Sequence, residues 1–411
     1  MPTLLSVNNY YYPRGGAEVV FLEHNKLFEH SGWQVVPFAM HHPKNIETPW
    51  SEYFVDEIEY GEQYNILGKL RRVPKTVYSL EARRNLSRLL TRAMPDICHL
   101  HNIYHHISPS ILGLLKRKGV PVVLTLHDLK LACPAYKMLT HDGICERCKG
   151  GRVYNVVVHR CVKQSYALSM LVAIEAAVST MLGSYKKCVD RFIVPSRFYI
   201  NKFVEWGWDR ERFEYVPNFI HIGAFEPEYR SGRSFVYFGR LGPEKGVATL
   251  IKAAAMAGVP LRIVGTGPEE SLLRNSAARS GGDIEFLGYL SGAPLHDVVR
   301  SARAVVLPSE WYENAPMSVL EAYALGKPVI GASIGGIPEL IHEGKSGVTF
   351  ESGSVEGLAA VLAGFSAYKD TQISDMGHYG RSWMEKEFGE KHYLGRMLEI
   401  YGELGVAGAR T

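Results

Sequence analysis

Two glutamates, Glu313 and Glu321, lie with seven residues between them in the C-terminal half of the chain. An apolar run at 304–307 precedes them, and a segment of helical periodicity at 317–325 contains the second glutamate. Pro316 suits the first position of this helix, whose first backbone amides would attract anionic groups. Because one glutamate would precede the helix and the other lie inside it, we expect separate roles for them beside an anion-binding helix start.

Two cations and a glycine follow other predicted strands of the same half. Arg240 and Lys245 come after the apolar run 235–238, and Gly267 follows the run 261–264. A forked guanidinium and a compact ammonium at a strand end can neutralise phosphate oxygens, although elsewhere they would be ordinary surface charge. A glycine after a strand lets a ligand approach the backbone, or simply forms a tight turn.

The N-terminal half carries further candidates at predicted strand ends. Gly15 and Gly16 follow the first strand and would open a helix, forming either a phosphate-compatible turn or a simple helix entry. His127 follows another strand, although a lone histidine is usually structural. His99 and His101 end a third strand and could shape a pocket beyond it, with ordinary packing as the alternative.

Four cysteines fall in one segment, which is rich in Gly, Lys and Arg. Cys145 and Cys148 form a C-x-x-C pair, flanked by Cys133 and Cys161. Four thiolates could enclose a structural zinc ion, while free thiols or a disulfide pair are the alternatives. The N-terminus shows no export signal, so we expect a cytoplasmic protein in which a disulfide framework is disfavoured.

Strands and helices must bring these candidates together. Short apolar runs alternate with segments of helical period in both halves, which predicts parallel strands joined by crossover helices. The predicted strands are 3–7, 34–38, 97–100, 120–125, 191–194, 235–238, 261–264, 284–287, 304–307 and 328–330. The sequence therefore predicts an α/β fold of two doubly wound, Rossmann-like domains whose strand ends face each other across a cleft.

The length and composition agree with two domains. The chain has 411 residues, of which 46% are hydrophobic and 21% charged, with a net charge of +4 that predicts no partner. We expect one domain at 1–217, with a cysteine-rich insertion at about 133–161, and a second domain at 233–388. A stretch without periodicity at 218–232 suits a linker, and a final helical segment occupies 389–411.

Two segments bear on membrane contact. The segment 69–92 has eight basic residues and one acid, interleaved with Leu and Val. This pattern is typical of an amphipathic surface that lies on an anionic membrane, or of a solvated helix face. The apolar stretch 166–182 is interrupted by Glu175 and by several Ser and Thr, which predicts a buried helix more than a membrane span.

Motifs around these residues resemble those of a known family. The strings, in order, are FGRLGPEKG at 238–246, IVGTGP at 263–268, FLGY at 286–289, ENAPMSVLEAYALGKPVI at 313–330 and GGIPE at 335–339. They resemble the motifs of retaining glycosyltransferases with the GT-B architecture, in the large glycosyl transferases group 1 family. The resemblance covers nearly the whole chain and is more specific in its C-terminal half.

The resemblance implies that 1–217 is the acceptor-side domain and 233–388 the nucleotide-sugar-binding domain, and it implies a role for each candidate. Glu321 would bind the donor ribose and Glu313 the sugar hydroxyls, while Arg240 and Lys245 would clamp the diphosphate. His127 would contact the transferred sugar beside the reacting carbon. The other residues implied to bind the donor are Gly15, Gly16, Gly267, Leu287, Tyr289, Asn314, Ala315, Pro316 and Met317.

The implied activity is transfer of a hexose, with retention, from a nucleotide diphosphate donor to a hydroxyl acceptor. The acceptor would be a lipid-linked saccharide of cell-surface polysaccharide assembly, met at the inner face of the cell membrane. The sequence has no D-x-D pair to hold a metal on the diphosphate, so we expect catalysis without a metal cofactor. The cysteine segment resembles an insertion of some bacterial polysaccharide-assembly members, and the helix in 389–411 would cross back to the first domain.

Two other functions are compatible with parts of the pattern. A nucleotide-sugar epimerase of the same fold would rearrange a donor without an acceptor. A zinc-dependent nucleic-acid-binding protein would use the cysteine cluster, but the basic and aromatic residues there are not interleaved as a stacking platform requires. We therefore expect no nucleic-acid partner.

Overall fold

The structure is a computed structural model that describes residues 1–57 and 75–408 of the chain. Two six-stranded parallel sheets and one short antiparallel hairpin, β5–β6, account for the strands in these ranges. The strands are β1 (Thr3–Val7), β2 (Gln34–Phe38), β3 (Ile97–Leu100), β4 (Val122–Thr125), β5 (Leu139–Thr140), β6 (Gly143–Ile144), β7 (Arg191–Val194), β8 (Phe213–Tyr215), β9 (Phe235–Phe238), β10 (Leu261–Val264), β11 (Ile284–Gly288), β12 (Ala304–Leu307), β13 (Val329–Ala332) and β14 (Gly347–Phe350).

Helices cover both faces of the sheets, and serine side chains cap several of them. Ser79, Ser165 and Ser196 each accept a hydrogen bond from the amide three residues later, which satisfies an otherwise unpaired donor. The helices with bounds inside the described residues are α1 (Gly16–His30), α2 (Leu80–Arg92), α3 (Leu112–Arg117), α4 (Asn155–Val158), α5 (Tyr166–Leu182), α6 (Ser184–Cys188), α7 (Arg197–Glu205), α8 (Val247–Ala257), α9 (Glu270–Ser280), α10 (Ala293–Arg300), α11 (Met317–Ala324), α12 (Val355–Ala367), α13 (Asp370–Glu387) and α14 (Glu390–Glu403).

The first sheet has the strand order β2-β1-β3-β4-β7-β8, and all its neighbours are parallel. Its central strands β3 and β4 are buried along their whole length, as expected where helices cover both faces of a sheet. The chain crosses to opposite sides of β1, so a crevice opens beyond the carboxyl ends of β1 and β3.

The second sheet has the order β11-β10-β9-β12-β13-β14 and is also parallel. Here the order reverses between β9 and β12. The loops after these two strands therefore meet, and they carry Arg240 and Lys245 on one side and Glu313 on the other. The predicted α/β architecture of two doubly wound sheets is confirmed.

Strand bounds differ from the sequence prediction where proline intervenes. The run 120–125 becomes a strand at Val122, and the run 328–330 becomes a strand at Val329. A proline, Pro121 or Pro328, directly precedes each of these strands. Each strand begins only after its proline, because proline has no amide proton to donate to a neighbouring strand. The edge strands β8 and β14 were not predicted, since each is short and only partly buried.

Most of the described apolar residues of the basic segment 69–92 are buried, although Leu80 at the start of α2 is 69% exposed. In α2, Leu86, Leu89 and Leu90 are buried in the core of the first domain. The interpretation of this helix as a membrane-binding surface is therefore wrong, and the part at 69–74 lies outside the described residues. Among residues 1–57 and 75–408, no helix combines the length and the apolar character needed to cross a bilayer.

The last helix, α14, lies against the N-terminal domain. Tyr393, Met397 and Tyr401 are buried in one cluster with Leu4 of β1 and Phe28 of α1. The chain thus leaves the second sheet and returns to the first, with the stretch 218–232 as the other connection between them.

Candidate active site

A cleft of about 560 Å³ opens at the carboxyl ends of the two sheets and is lined by residues of both domains. Three predicted residues, Gly267, Leu287 and Tyr289, are described but do not line it. The predicted residues that line the cleft are Gly15, Gly16, His127, Arg240, Lys245, Glu313, Asn314, Ala315, Pro316, Met317 and Glu321.

Glu313 is buried at the floor of the cleft and carries a negative charge. Lys245 Nζ lies 2.7 Å from its Oε1, and the Ser309 hydroxyl donates to the same oxygen at 2.8 Å. Burial acts to raise the pKa of Glu313, but the Lys245 ammonium and the hydrogen bonds outweigh it and lower the pKa. The ion pair holds one carboxylate and one ammonium in fixed positions beside the start of α11.

Arg240 is held in a comparable way by a buried acid. Its guanidinium pairs with Glu244, whose carboxylate also lies 3.3 Å from Lys137 of the cysteine-rich insertion. The Arg240 side chain remains 52% exposed toward the cleft. A phosphate entering the cleft would therefore find both a guanidinium and an ammonium already oriented by carboxylates.

Glu321 has an environment unlike that of Glu313. It lies within α11, and burial raises its pKa to about 7. A carboxyl group with this pKa is partly protonated near neutral pH, so it can either donate to or accept from a hydroxyl group. The separate roles expected from the sequence thus have separate electrostatic settings.

The loop before α11 is fixed by contacts that the sequence pattern did not reveal. The Asn314 Oδ1 accepts from the Ser196 hydroxyl at 2.7 Å, and its Nδ2 donates to the carbonyl of Leu126 at 2.9 Å. Asn218 Nδ2 donates to the carbonyl of Ala315 at 3.1 Å. These side chains join the loop to the first domain, so the backbone that opens α11 has one defined position in the cleft.

The glycine pair of the GGIPE string packs directly under this loop. A Cβ atom on Gly336 would lie 1.9 Å from the Asn314 carbonyl oxygen, and one on Gly335 would lie 2.4 Å from that of Glu313. Gly335 also has a φ of +61°. Only glycine allows so close an approach, so this motif supports the position of the loop that carries Glu313 and Asn314.

His127 forms the opposite wall of the cleft. Burial lowers its pKa to about 4, so the ring is neutral at physiological pH. Its Nε2 lies 2.8 Å from Nδ1 of His101, and the two rings stack 5.0 Å apart. His101 in turn stacks on His99 at 4.8 Å, so three imidazoles form a column behind the cleft.

The column continues to the C-terminal helix. His99 Nδ1 lies 2.6 Å from the Tyr401 hydroxyl, and its Nε2 lies 2.7 Å from that of Thr125. His99 and His101 are fully buried, so they support His127 from behind and do not line the cleft.

His101 Nε2 has no hydrogen-bond partner in the described residues. We therefore assign the His101 proton to Nδ1, where it donates to His127, because an unpaired buried N–H is rare.

Gly16 leaves room for a ligand at the start of α1, whereas a Cβ on Gly15 would lie 3.3 Å from a carboxylate oxygen of Glu18. Gly15 is the extended N-cap of α1 and Gly16 its first residue. No atom lies within 4 Å of a Cβ added to Gly16. In contrast, a Cβ on Gly267 would lie 2.3 Å from the Leu241 carbonyl oxygen, so this glycine is required by the packing of two loops. Tyr289 is 73% exposed outside the cleft.

Cys133, Cys145, Cys148 and Cys161 line one small cavity, and all six cysteines are free thiols in the structure. Four thiolates on zinc would lie about 3.8 Å apart, since each Zn–S bond is about 2.3 Å. In the described ranges, the potential ligands found within 4.8 Å of one another are instead His24, His99 and His101. The four thiols thus surround a common space but would have to draw closer to bind zinc.

The three histidines of that group form a hydrogen-bonded network. His24 Nδ1 lies 2.9 Å from the Tyr393 hydroxyl, and both ring nitrogens of His99 contact hydroxyl groups. Burial lowers the pKa of all three rings. Hydroxyl groups thus hold His24 and His99, and His101 is held through its Nδ1 by His127.

Comparison with known proteins identifies the class and then the family. The model for Glycosyl transferases group 1 matches residues 224–383, and the model for Glycosyltransferase Family 4 matches residues 14–223. Together with the two facing sheets, these matches define a GT-B glycosyltransferase. The chain belongs to Glycosyltransferase Family 4, with a C-terminal half of the group 1 type.

Curated relatives match large parts of the chain at modest identity. Glycogen synthase from Mycobacterium tuberculosis is 27% identical over 275 residues, which are 65% of this chain and 59% of that protein. The chain thus matches about three fifths of the length of this relative. An uncharacterized 42.6 kDa protein in the cps region of Klebsiella pneumoniae is 25% identical over 82% of this chain and 87% of its own.

Solved structures share the fold at lower identity. Anabaena Alr3699/HepE in complex with UDP has a TM-score of 0.69 and 17% identity, with 98% of this chain and 100% of that chain covered. Sucrose-phosphate synthase from Thermosynechococcus elongatus has a TM-score of 0.70 and 19% identity, with 99% and 100% covered. These likenesses establish the fold alone.

Proposed function

We propose that this glycosyltransferase moves a hexose, with retention, from a nucleotide diphosphate donor to a lipid-linked saccharide in cell-surface polysaccharide assembly. The observation that carries the proposal is the Lys245–Glu313 ion pair at the start of α11, which faces His127 across one cleft. The UDP bound to the Anabaena neighbour supports a nucleotide diphosphate as the donor class.

Charge stabilisation is the main task of the donor half. As the bond between the sugar C1 and the phosphate oxygen breaks, negative charge builds on the leaving diphosphate. Arg240, Lys245 and the amides of 314–317 would stabilise that charge, because preoriented donors need no reorganisation during the reaction. Catalysis would therefore proceed without a metal cofactor.

The acceptor oxygen then forms a bond to C1 on the face that the diphosphate leaves, and its proton passes to a phosphate oxygen. The retained configuration follows from this same-face attack. Glu313 would hold sugar hydroxyls, Glu321 would bind the ribose, and the neutral His127 ring would contact the sugar near C1. Gly15 and Gly16, which line the cleft, would border the phosphates.

Relatives support a lipid-linked acceptor at the inner face of the cell membrane. Phosphatidyl-myo-inositol mannosyltransferase from Mycolicibacterium smegmatis is 29% identical over 36% of this chain and 42% of its own. The Klebsiella relative belongs to a cps region. An epimerase or a nucleic-acid-binding protein, the two alternatives from the sequence, is favoured by no observation among the described residues.

A structural zinc ion would fit the cysteine-rich insertion. Cys133, Cys145, Cys148 and Cys161 share one cavity, and zinc would draw their sulfurs into a tetrahedron. This would stiffen a segment that touches the donor domain through Lys137. Metal analysis of protein purified under reducing conditions should find about one equivalent of zinc. A content below about a tenth of an equivalent would exclude the site.

Substitution of Glu313 tests the site. Glu313→Gln keeps the shape but loses the charge that orients Lys245, so we expect turnover to fall about a hundredfold. Glu310→Gln, in the same loop but outside the cleft lining, is the matched control and should retain turnover. Near-normal turnover of Glu313→Gln with unchanged donor affinity would contradict the assignment.

Incubation with donor alone, without acceptor, separates transfer from epimerisation.

A further inference from the structure

Helix α5 exposes an apolar stripe. Its sequence predicts a buried helix, and the helix is confirmed, but the prediction of burial is wrong for one side. Tyr166, Met170, Ile174 and Met181 have exposed fractions of 62%, 48%, 40% and 77%, and they recur at helical spacing. A helix on a protein surface normally carries polar residues at such positions, so this stripe needs a partner.

The opposite side of α5 is fixed to the domain. Val172 and Ala173 are buried, and Glu175 forms an ion pair with Lys130 at 2.9 Å. A buried ion pair and packing therefore set the orientation of the helix, and in this orientation the apolar stripe faces solvent. Rotation of the helix to bury the stripe would expose Val172 and strip Glu175 of its partner.

Neighbouring residues extend the apolar surface. The short helix α4 packs against α5 and presents Val158, which is 60% exposed, next to Tyr154 at its start, also 60% exposed. We call these two residues together with Tyr166, Met170, Ile174 and Met181 the apolar face. Contiguous apolar surfaces of this kind mark an interaction site.

The chain segment that carries the apolar face is basic apart from one buried acid. Between residues 151 and 189 the only acidic residue is Glu175, which is buried. The basic residues in the same stretch all lie exposed and are Arg152, Arg160, Lys163, Lys186 and Lys187. An apolar helix stripe bordered by bases complements a surface that offers hydrocarbon beneath anionic headgroups.

We propose that the apolar face docks on an anionic phospholipid bilayer, with α5 lying in the interface. The proposal rests on the proposed function, because a lipid-linked acceptor is reached at the membrane. It also connects the two sites: Lys130, which holds Glu175, follows His127 by three residues. Docking of α5 would therefore bring the acceptor wall of the cleft toward the bilayer.

Vesicle sedimentation of the full chain tests this surface. The vesicles are phosphatidylcholine alone, or phosphatidylcholine with about 30% phosphatidylglycerol. The wild type should bind the anionic vesicles, and Met170→Glu/Ile174→Glu should lower the partition coefficient at least about tenfold. Leu272→Glu, at an exposed apolar position of α9 in the other domain, is the matched control and should bind as the wild type does.

A second variant keeps the test decisive if the first unfolds, as judged by thermal melting. Lys163→Glu/Lys187→Glu alters exposed charges alone and should weaken binding to anionic vesicles about tenfold or more. Equal binding by these variants and the wild type, or no binding of the wild type, would overturn the proposal. So would light scattering that finds a wild-type dimer, dissociated by Met170→Glu/Ile174→Glu, without vesicle binding.

Vesicle binding needs no turnover, so the two proposals can fail separately. Retained docking without any sugar transfer would refute the proposed function but leave the surface intact. Transfer to a water-soluble acceptor by a variant that no longer docks would support both the function and the role of the apolar face.

Discussion

At the scale of residues, the two glutamates are both affected by burial, but only Glu313 has a neighbouring charge that opposes it. Lys245 keeps Glu313 ionised despite its burial, whereas burial alone raises the pKa of Glu321 to about 7. The first carboxylate is thus a fixed acceptor of hydrogen bonds, and the second changes its protonation near neutral pH. Residue type and spacing could predict the two positions but not this difference, which depends on what surrounds each carboxyl group.

The raised pKa of Glu321 predicts a pH-dependent stability. The folded state keeps the proton that the unfolded state loses near pH 4.5, so the contribution of Glu321 is present below pH 4.5 and is lost as pH rises through about 7. The loss amounts to about 3 kcal/mol. Denaturant unfolding of the ligand-free protein should show this decline, and Glu321→Gln should lack it. Glu356→Gln, at an exposed position, should behave as the wild type; an unchanged profile for Glu321→Gln would refute the assignment.

The histidine column predicts a positioning role for His101. His101→Phe keeps a buried ring but removes the hydrogen bond to His127, so kcat should fall about tenfold with little change in KM for the donor. His101→Asn, which can place a donor near the Nδ1 position, should recover part of kcat. The free energy of unfolding of His101→Phe should not fall, because phenylalanine has no nitrogen in place of the unpaired Nε2. Loss of stability together with an unchanged kcat would mean that the ring serves packing alone.

At the scale of elements, alternation of apolar runs and helical segments was enough to predict the two sheets. The ends of β4 and β13 could have been refined from Pro121 and Pro328, whereas the edge strands β8 and β14 carry too little apolar pattern. Which face of a helix is buried could not be predicted for α2 or α5. That depends on neighbours distant in sequence, such as Lys130 for Glu175.

Gly335 and Gly336, which pack under the loop that carries Glu313 and Asn314, give a prediction at this scale. Gly336→Ala places a Cβ where the Asn314 carbonyl lies, so the loop must shift. We expect stability to fall by about 2 kcal/mol and donor affinity to fall with it. Gly364→Ala in α12, where no atom lies within 4 Å of the added Cβ, should be neutral or slightly stabilising. Calorimetric titration with the donor and thermal melting of both variants measure the two effects. Normal donor affinity in Gly336→Ala would show that the loop tolerates displacement.

At the scale of the whole molecule, the cleft depends on contacts that span the chain. Asn314 bridges to Ser196 and Leu126, and the Tyr199 hydroxyl donates to the Tyr312 carbonyl at 3.0 Å. The partners of each contact are more than 100 residues apart, so no local pattern could reveal them. The motif strings could place Glu313, Arg240, Lys245 and the loop itself.

The return of α14 to the first domain completes this arrangement. Tyr401 contacts His99, His99 stacks on His101, and His101 contacts His127. The last helix is thus linked to the His127 wall of the cleft through a buried network. The C-terminal helix thus supports His127 of the first domain, and Ser196 and Leu126 of the first domain support the loop at Asn314.

The most direct test of the account is the stereochemistry of the product. The full chain, a nucleotide diphosphate hexose chosen by a binding screen and a lipid-linked saccharide acceptor would be incubated together, and the anomeric configuration of the new linkage measured by NMR. The account predicts that the configuration of the donor is retained and that product is nearly absent with Glu313→Gln. An inverted linkage, or a rearranged sugar formed without acceptor, would contradict it.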